Sequence, residues 1–229
     1  MDGELFPRSR REVAPGAVHV PDWLDADGQR RLLQACREWA RPPAGLRTVR
    51  TPGGGTMTSR QVCLGLHWYP YGYARTAVDG DGAPVKPLPD WLAALGREAV
   101  EAALGPRAAP PEPYDIALIN FYDADARMGM HRDSDEQSDA PVVSLSLGDS
   151  CVFRFGNTRS RARPYTDVEL RSGDLFVFGG PARLAYHGVP RVHPGTAPPG
   201  LGLTGRLNVT LRVGGFGQGP KRIMGDSPS

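Results

Sequence analysis

Lysine is nearly missing from this chain: of 27 basic residues, only Lys86 and Lys221 are lysines. The positive charge is therefore almost all guanidinium, and a local group of arginines is weak evidence for a binding surface. Net charge is only +2, so bulk charge names no partner. Cysteine is also scarce. Cys36, Cys63 and Cys151 are odd in number and far apart, which excludes a disulfide framework and a zinc-finger spacing and points to a reducing cytoplasm. No apolar run approaches the roughly 20 residues that span a bilayer. Residues 1–13 are polar, without the apolar core of a signal peptide. Glycine (29) and proline (23) are plentiful, which suits a loop-rich β protein better than a helical bundle. A chain of 229 residues can build one good core, so one domain is expected.

The periodicity changes once along the chain. Apolar spacing predicts a helix from Asp25 or Asp27 to about Ala40, ended by Pro42 and Pro43, and a second from Asp90 to Leu104, ended by Gly105 and Pro106. From Tyr114 the period becomes two. Strands are predicted at 115–122, 141–147, 150–155, 167–170, 175–178 and 206–213. Helices followed by many strands predict an α+β fold around a β-sandwich or jelly roll. A loose arm is expected at residues 1–16 and a flexible tail at 214–229, on either side of a single domain over 17–213.

His131-Arg132-Asp133 is followed far downstream by His187. Residues two apart on extended chain point to the same side, so His131 and Asp133 can reach one metal. Two imidazoles and a carboxylate form a facial triad, which leaves the opposite face of Fe(II) open to a cosubstrate and dioxygen. Three ligands plus water also describe catalytic zinc, and His-x-Asp is common in loops, so these residues alone do not name the metal.

The segment Arg206–Val213 alternates without a fault. Arg206, Asn208, Thr210 and Arg212 share one face, and Leu207, Val209, Leu211 and Val213 the other. A guanidinium fork grips a carboxylate through two parallel hydrogen bonds, so two arginines on one inward face fit a dicarboxylate such as 2-oxoglutarate. Asn120 and Tyr122 share a strand face and can add hydrogen bonds. A solvated polar face is the plain alternative for such a strand.

Taken in order, these residues resemble the AlkB family of Fe(II)- and 2-oxoglutarate-dependent dioxygenases. The resemblance is carried by Leu118-Ile119-Asn120-Phe121-Tyr122, by Met130-His131-Arg132-Asp133-Ser134-Asp135-Glu136, by the run from Pro141 to Gly148, by Phe178-Gly179-Gly180, by Tyr186-His187-Gly188 and by Arg206 to Arg212. Thr51-Pro52-Gly53-Gly54 with Thr56-Met57 resembles the start of that family's nucleotide-recognition lid. The resemblance implies a double-stranded β-helix (jelly-roll) core at about 114–213, with N-terminal helices packed on it and a lid at about 45–85. It implies Fe(II) on His131, Asp133 and His187, and 2-oxoglutarate on Asn120, Tyr122, Arg206, Asn208 and Arg212. Trp68, Tyr71, Tyr73, Met57 and Asp135 are implied as contacts to an alkylated base of DNA, and Arg159 and Arg161 as contacts to its backbone. RNA is a further substrate class, and the protein is expected to act as a monomer.

Three departures bear on substrate preference. Asp125 stands where the family usually has glycine, Gly55 replaces an aromatic of the lid, and Phe178 replaces a tryptophan. An RNA- or protein-modifying oxygenase of the same chemistry, and a non-enzymatic carboxylate-binding β-sandwich, remain as alternatives. His19, His67 and His193 have no motif partners, and Cys63 and Cys151 are expected in the core.

Overall fold

The computed structural model describes residues 8–51, 53–70, 72–216 and 223–224. The two helices fall where the periodicity put them. Helix α1 (Ala26–Trp39) starts at Asp25, whose carboxylate accepts from the Gly28 N–H at 2.7 Å, and it buries Leu32, Leu33 and Cys36. Helix α2 (Asp90–Leu104) ends at Gly105, which has φ +90°.

The sheet strands are β1 (Arg11–Ala14), β2 (Ala17–Val20), β3 (Arg47–Arg50), β4 (Thr56–Leu64), β5 (His67–Tyr69), β6 (Gly72–Ala74), β7 (Ile116–Tyr122), β8 (Met128–His131), β9 (Val142–Gly148), β10 (Ser150–Phe155), β11 (Thr166–Leu170), β12 (Leu175–Phe178), β13 (His187–His193), β14 (Arg206–Arg212) and β15 (Ile223–Met224). A large sheet runs β1-β2-β12-β9-β14-β7-β4-β3, and a smaller one runs β11-β10-β13-β8. Strands β5 and β6 form a hairpin, with β15 beside β6 in parallel. This is the β-rich jelly-roll core that the alternation predicts.

The central strands of the large sheet, β12, β9, β14 and β7, are buried on both faces, and the pleat sorts their side chains. On β12, Leu175 and Val177 join Leu32, Leu92, Val100, Leu145, Val209 and Leu211 in a core beneath the helices. Phe176 and Phe178 point the other way, into an aromatic core between the sheets with Tyr122, Phe153 and Phe155. Strand β14 follows the same rule. Its leucines and valine enter the helix-side core, so Asn208, Thr210 and Arg212 face the space between the sheets. The solvated alternative for this strand is excluded, because every one of its residues except Asn208 is buried.

Strands β1, β8, β13 and β15 depart from the expectation. Residues 11–14, expected in a loose arm, pair with β2. Strands β8 and β13 were legible only as loops. Met128-Gly129-Met130-His131 has no β-branched residue, and β13 contains Gly188 and Pro190, which weaken a strand pattern. Pro190 is accommodated where the β10–β13 register shifts between Val152 and Arg154. Asp125 does not have positive φ, so its turn has no need of the left-handed backbone expected there. Most of the expected tail lies outside the described residues, apart from Gly214–Phe216 and β15.

Asp174, at the turn before β12, pins the N-terminal strands to the large sheet. Its carboxylate is fully buried. It accepts from Arg8 Nη1 (2.7 Å) and Nη2 (2.8 Å), His19 Nε2 (2.8 Å), and the N–H groups of Asp22 and Arg171 (3.0 Å each). Burial alone would raise its pKa. The hydrogen bonds from His19, Arg8, Arg171 and Asp22 outweigh burial and bring it down to about 2. A depressed carboxylate stabilises the fold above its unfolded pKa and loses that contribution as pH falls through the folded value. The expected outcome for Asp174→Asn is a loss of about 2–4 kcal/mol at pH 7, with the gap to wild type closing between about pH 4 and pH 2. Denaturant unfolding at several pH values checks this, and a gap independent of pH would remove the ionised carboxylate from the account.

Candidate active site

Strands β8 and β13 are neighbours in the smaller sheet, and His131 and His187 are direct cross-strand partners. Their rings lie 4.5 Å apart between centroids. Asp133 follows β8 by two residues. His131 Nε2 is 3.7 Å from Asp133 Oδ1, and His187 Nε2 is 3.8 Å from Asp133 Oδ2. One ligand atom from each of the three residues lies within 4.8 Å of the others. His131 Nδ1 donates to the Gly129 carbonyl and His187 Nδ1 to the Ala185 carbonyl, each at 3.0 Å. With the proton on Nδ1, both Nε2 lone pairs face Asp133.

The electrostatics suit a cation at this point. Burial, then the neighbouring His131, lowers the His187 pKa to about 4, so the ring is neutral at physiological pH. Burial alone would raise Asp133. Chiefly the charge of Arg212 reverses this and brings it down to about 2. Asp133 Oδ2 is buried, and its near partner is the guanidinium of Arg212, with Nη2 at 2.8 Å. Two imidazole Nε2 atoms turned inward and an ionised carboxylate are a donor set that fits Fe(II).

A cavity opens beside the triad. It is lined by Asn120, Tyr122, Ser144, Asn208, Thr210 and Arg212 on one side, and by Met128, Phe153, Phe178 and Val189 on the other. Arg206 lies under this lining with its side chain buried. Only Nη2 is engaged, with Ser146 Oγ at 3.0 Å; Nε and Nη1 have no partner. A buried guanidinium with two free nitrogens is costly unless an anion meets it, and a carboxylate matches the fork. Arg212 is committed through both terminal nitrogens, and only its Nε has no partner. Its Nη2 is 2.8 Å from Asp133 Oδ2, and its Nη1 donates to Glu136 Oε1 at 3.0 Å. So the residues expected to hold a cosubstrate are brought together, but the two arginines differ in what they have to offer.

The expected nucleobase contacts fare unevenly. Trp68, on β5, donates from Nε1 to Asp135 Oδ2 at 2.8 Å, which ties an indole to the loop after Asp133. Met57 is half-buried on β4. Tyr73 does not lie on an exposed lid. It is 2% exposed, and its hydroxyl donates to Glu136. Tyr71 lies outside the described residues. Arg159 and Arg161 are exposed on the β10–β11 connection, with the Arg161 guanidinium 6.0 Å from the Tyr186 ring.

Some site residues carried no sequence signal. Arg183 is buried and donates to the Asp133 carbonyl (2.7 Å), the Ala140 carbonyl (2.9 Å) and Glu136 Oε2 (3.0 Å). Glu136 is not the solvated acid of a turn: Arg183, Arg212 and Tyr73 surround it. Ser144 is legible in the alternation of β9 and faces the cavity. Its Oγ accepts from Asn208 Nδ2 at 2.7 Å. His19, His67 and His193 bond to Asp174, Asp79 and Ser150.

The model of the 2OG-Fe(II) oxygenase superfamily matches residues 16–212. The chain belongs to that superfamily, in its AlkB family. It uses Fe(II) and 2-oxoglutarate. It is 39% identical over 204 residues to an alpha-ketoglutarate-dependent dioxygenase AlkB homolog of Caulobacter vibrioides, a match covering 87% of this chain and 88% of that one. It is 32% identical to the DNA N(6)-methyladenine demethylase ALKBH1D of Arabidopsis thaliana; the match covers 87% of this chain but only 50% of that longer protein. The solved structure of OsALKBH1 superposes with a TM-score of 0.79 at 32% identity, covering 89% of this chain and all of the other.

The β8–β13 register rests on Gly188. A Cβ there would come within 2.7 Å of the Met128 carbonyl and 2.9 Å of the Gly129 carbonyl, and Gly129 O is the partner of His131 Nδ1. Gly188→Ala is expected to push the strands apart and weaken Mn(II) binding at least tenfold, with little change in overall secondary structure. Metal titration by calorimetry checks it; wild-type affinity would show that the close approach is dispensable.

Proposed function

We propose that this protein repairs N-alkylated bases of DNA by oxidative demethylation, with 1-methyladenine and 3-methylcytosine as substrates. The observation that carries the reading is the Trp68–Asp135 hydrogen bond, which places an aromatic plane and a carboxylate next to the metal loop. When bound, Fe(II) supplies the oxidative chemistry that consumes O2 and 2-oxoglutarate and turns an N-methyl group into formaldehyde, with succinate and carbon dioxide as coproducts.

The chain's own part is binding, orientation and exclusion of water. His131, Asp133 and His187 hold the metal. The two free nitrogens of Arg206 take a carboxylate of 2-oxoglutarate, and Asn120, Tyr122, Asn208 and Arg212 orient the rest of it. Met128, Phe153, Phe178 and Val189 keep the opposite wall dry. Trp68 offers a face for the flipped base, with Met57 as a further contact, while Tyr73 supports the site from below through Glu136. A methyl on the Watson–Crick edge is hidden in a duplex, so the base is flipped out or read from a single strand; a lesion that blocks pairing lowers the cost. Arg159 and Arg161 meet the phosphates.

We take residues 45–85 as the nucleotide-recognition lid on a single domain over 17–213, acting as a monomer in the cytoplasm. Among the described residues, no helix is long and apolar enough to cross a membrane. RNA is the second reading, since stacking and charge do not read the 2′-hydroxyl; a Schizosaccharomyces pombe relative, 37% identical over 92 residues, is named a tRNA demethylase.

The test is formaldehyde release from single-stranded oligonucleotides carrying one lesion each, and it is expected for the two cationic lesions. Asp135→Asn keeps an acceptor for Trp68 Nε1 but removes the charge. It is expected to lower turnover of cationic 1-methyladenine about tenfold more than that of neutral 1-methylguanine, because only the cation gains Coulomb energy from a carboxylate. Equal losses on both lesions would make Asp135 a support for Trp68 rather than a reader of charge.

A further inference from the structure

A row of polar side chains crosses the large sheet behind the cavity. Gln61 on β4 pairs in register with Asn120 on β7, and Asn120 pairs with Asn208 on β14. Gln61 is 2% exposed and does not line the cavity. Its Nε2 donates to Asn120 Oδ1 at 3.1 Å. Its Oε1 accepts from Cys63 Sγ at 3.5 Å. Cys63 Sγ in turn accepts from the Trp68 N–H at 3.4 Å and from Arg47 Nη1 at 3.6 Å.

A backbone N–H can only donate, and a guanidinium can only donate. The Cys63 sulfur is therefore the acceptor for the Trp68 N–H; its own S–H has two acceptors in reach, Gln61 Oε1 at 3.5 Å and the Trp68 carbonyl at 4.0 Å, and the shorter contact directs it to Gln61. The Gln61 carbonyl is thereby fixed on Cys63, and its NH2 on Asn120. The Asn120 carbonyl is then fixed on Gln61, which leaves its NH2 turned to the cavity. An amide can be reversed at little steric cost, so its orientation is set by its hydrogen-bond partners. Reversed, Asn120 would present a carbonyl oxygen to an anionic cosubstrate.

We propose that Gln61 is a positioning residue for the cosubstrate: it holds the Asn120 amide with its donors facing the cavity, and Cys63 and the Trp68 backbone hold Gln61. This rests on the reading that Asn120 meets 2-oxoglutarate, and the two ideas fail separately. Nothing in the row touches a metal ligand, so the metal site is not its target. The chain of donors also begins at the residue that offers its indole to the base, so the two halves of the substrate site share one hydrogen-bonded support.

The test uses Gln61→Met, which keeps length and volume but can neither donate nor fix an amide. Its binding of 2-oxoglutarate is measured by calorimetry on Mn(II)-loaded protein, alongside KM and kcat with Fe(II). Affinity for 2-oxoglutarate is expected to fall about tenfold, the factor that corresponds to about 1.4 kcal/mol. KM should rise by a similar factor, with kcat at saturating 2-oxoglutarate and Mn(II) affinity close to wild type. Asn120→Leu is expected to weaken 2-oxoglutarate at least as much, and adding Gln61→Met to it should have no further effect. Cys63→Ala, which frees the Gln61 amide, is expected to give about a threefold loss. If Asn120→Leu binds 2-oxoglutarate normally, the placement of Asn120 in the cosubstrate site is wrong. If Asn120→Leu weakens binding but neither Gln61→Met nor Cys63→Ala does, or if the two losses in the double variant simply add, the proposal is overturned.

Discussion

The direct pairing of His131 with His187 across β8 and β13 is the constraint on which the rest of the site depends. It sets both imidazoles on one face of the smaller sheet. Each ring is then locked by the chain just before it, through an Nδ1 hydrogen bond to the carbonyl two residues earlier. Asp133 completes the set because the chain leaves β8 still extended enough to return a carboxylate to the same side. A slip of one residue would send His187 to the opposite face. Gly188 and the irregular register around Pro190 are features that weaken a strand yet permit this approach.

Behind the metal ligands lies a buried charge network that would be unfavourable in parts and is stable as a whole. Arg212 faces both Asp133 and Glu136, and Arg183 binds Glu136 and the Asp133 carbonyl. Burial lowers the guanidinium pKa of Arg212, and the two carboxylates more than restore it, raising it above its ordinary value. Burial likewise favours the neutral Glu136; chiefly the charge of Arg212 holds its pKa down. Removing any one member would leave an uncompensated buried charge, which costs far more than the pair is worth in isolation. Arg183 precedes His187 by four residues, so the network also fastens the loop entering β13 to the loop leaving β8.

Much of the catalytic core was legible because it rests on short-range geometry. His131 and Asp133 are two apart, and the faces of β14 alternate with no exception, so the pleat alone sorts core from cavity. The helices were legible from their apolar stripes. The strands that carry both histidines were not, because their stability comes from pairing with each other and with β10 rather than from residue preference. Arg183, Gln61 and Asp174 were illegible for a related reason. Each bonds partners dozens of residues away, and no local pattern distinguishes a buried arginine with three acceptors from the many exposed ones in this chain. Tyr73 shows the converse: its aromatic neighbourhood suggested a surface contact, while its partner Glu136 comes from another part of the chain.

The most direct measurement is a crystal structure of the protein grown with Mn(II) and 2-oxoglutarate in the absence of oxygen. The account expects one ion bound by Nε2 of His131, Nε2 of His187 and a carboxylate oxygen of Asp133, with a carboxylate of 2-oxoglutarate on Arg206 Nε and Nη1. An ion held through Nδ1 of either histidine, or 2-oxoglutarate bound away from Arg206, would contradict it.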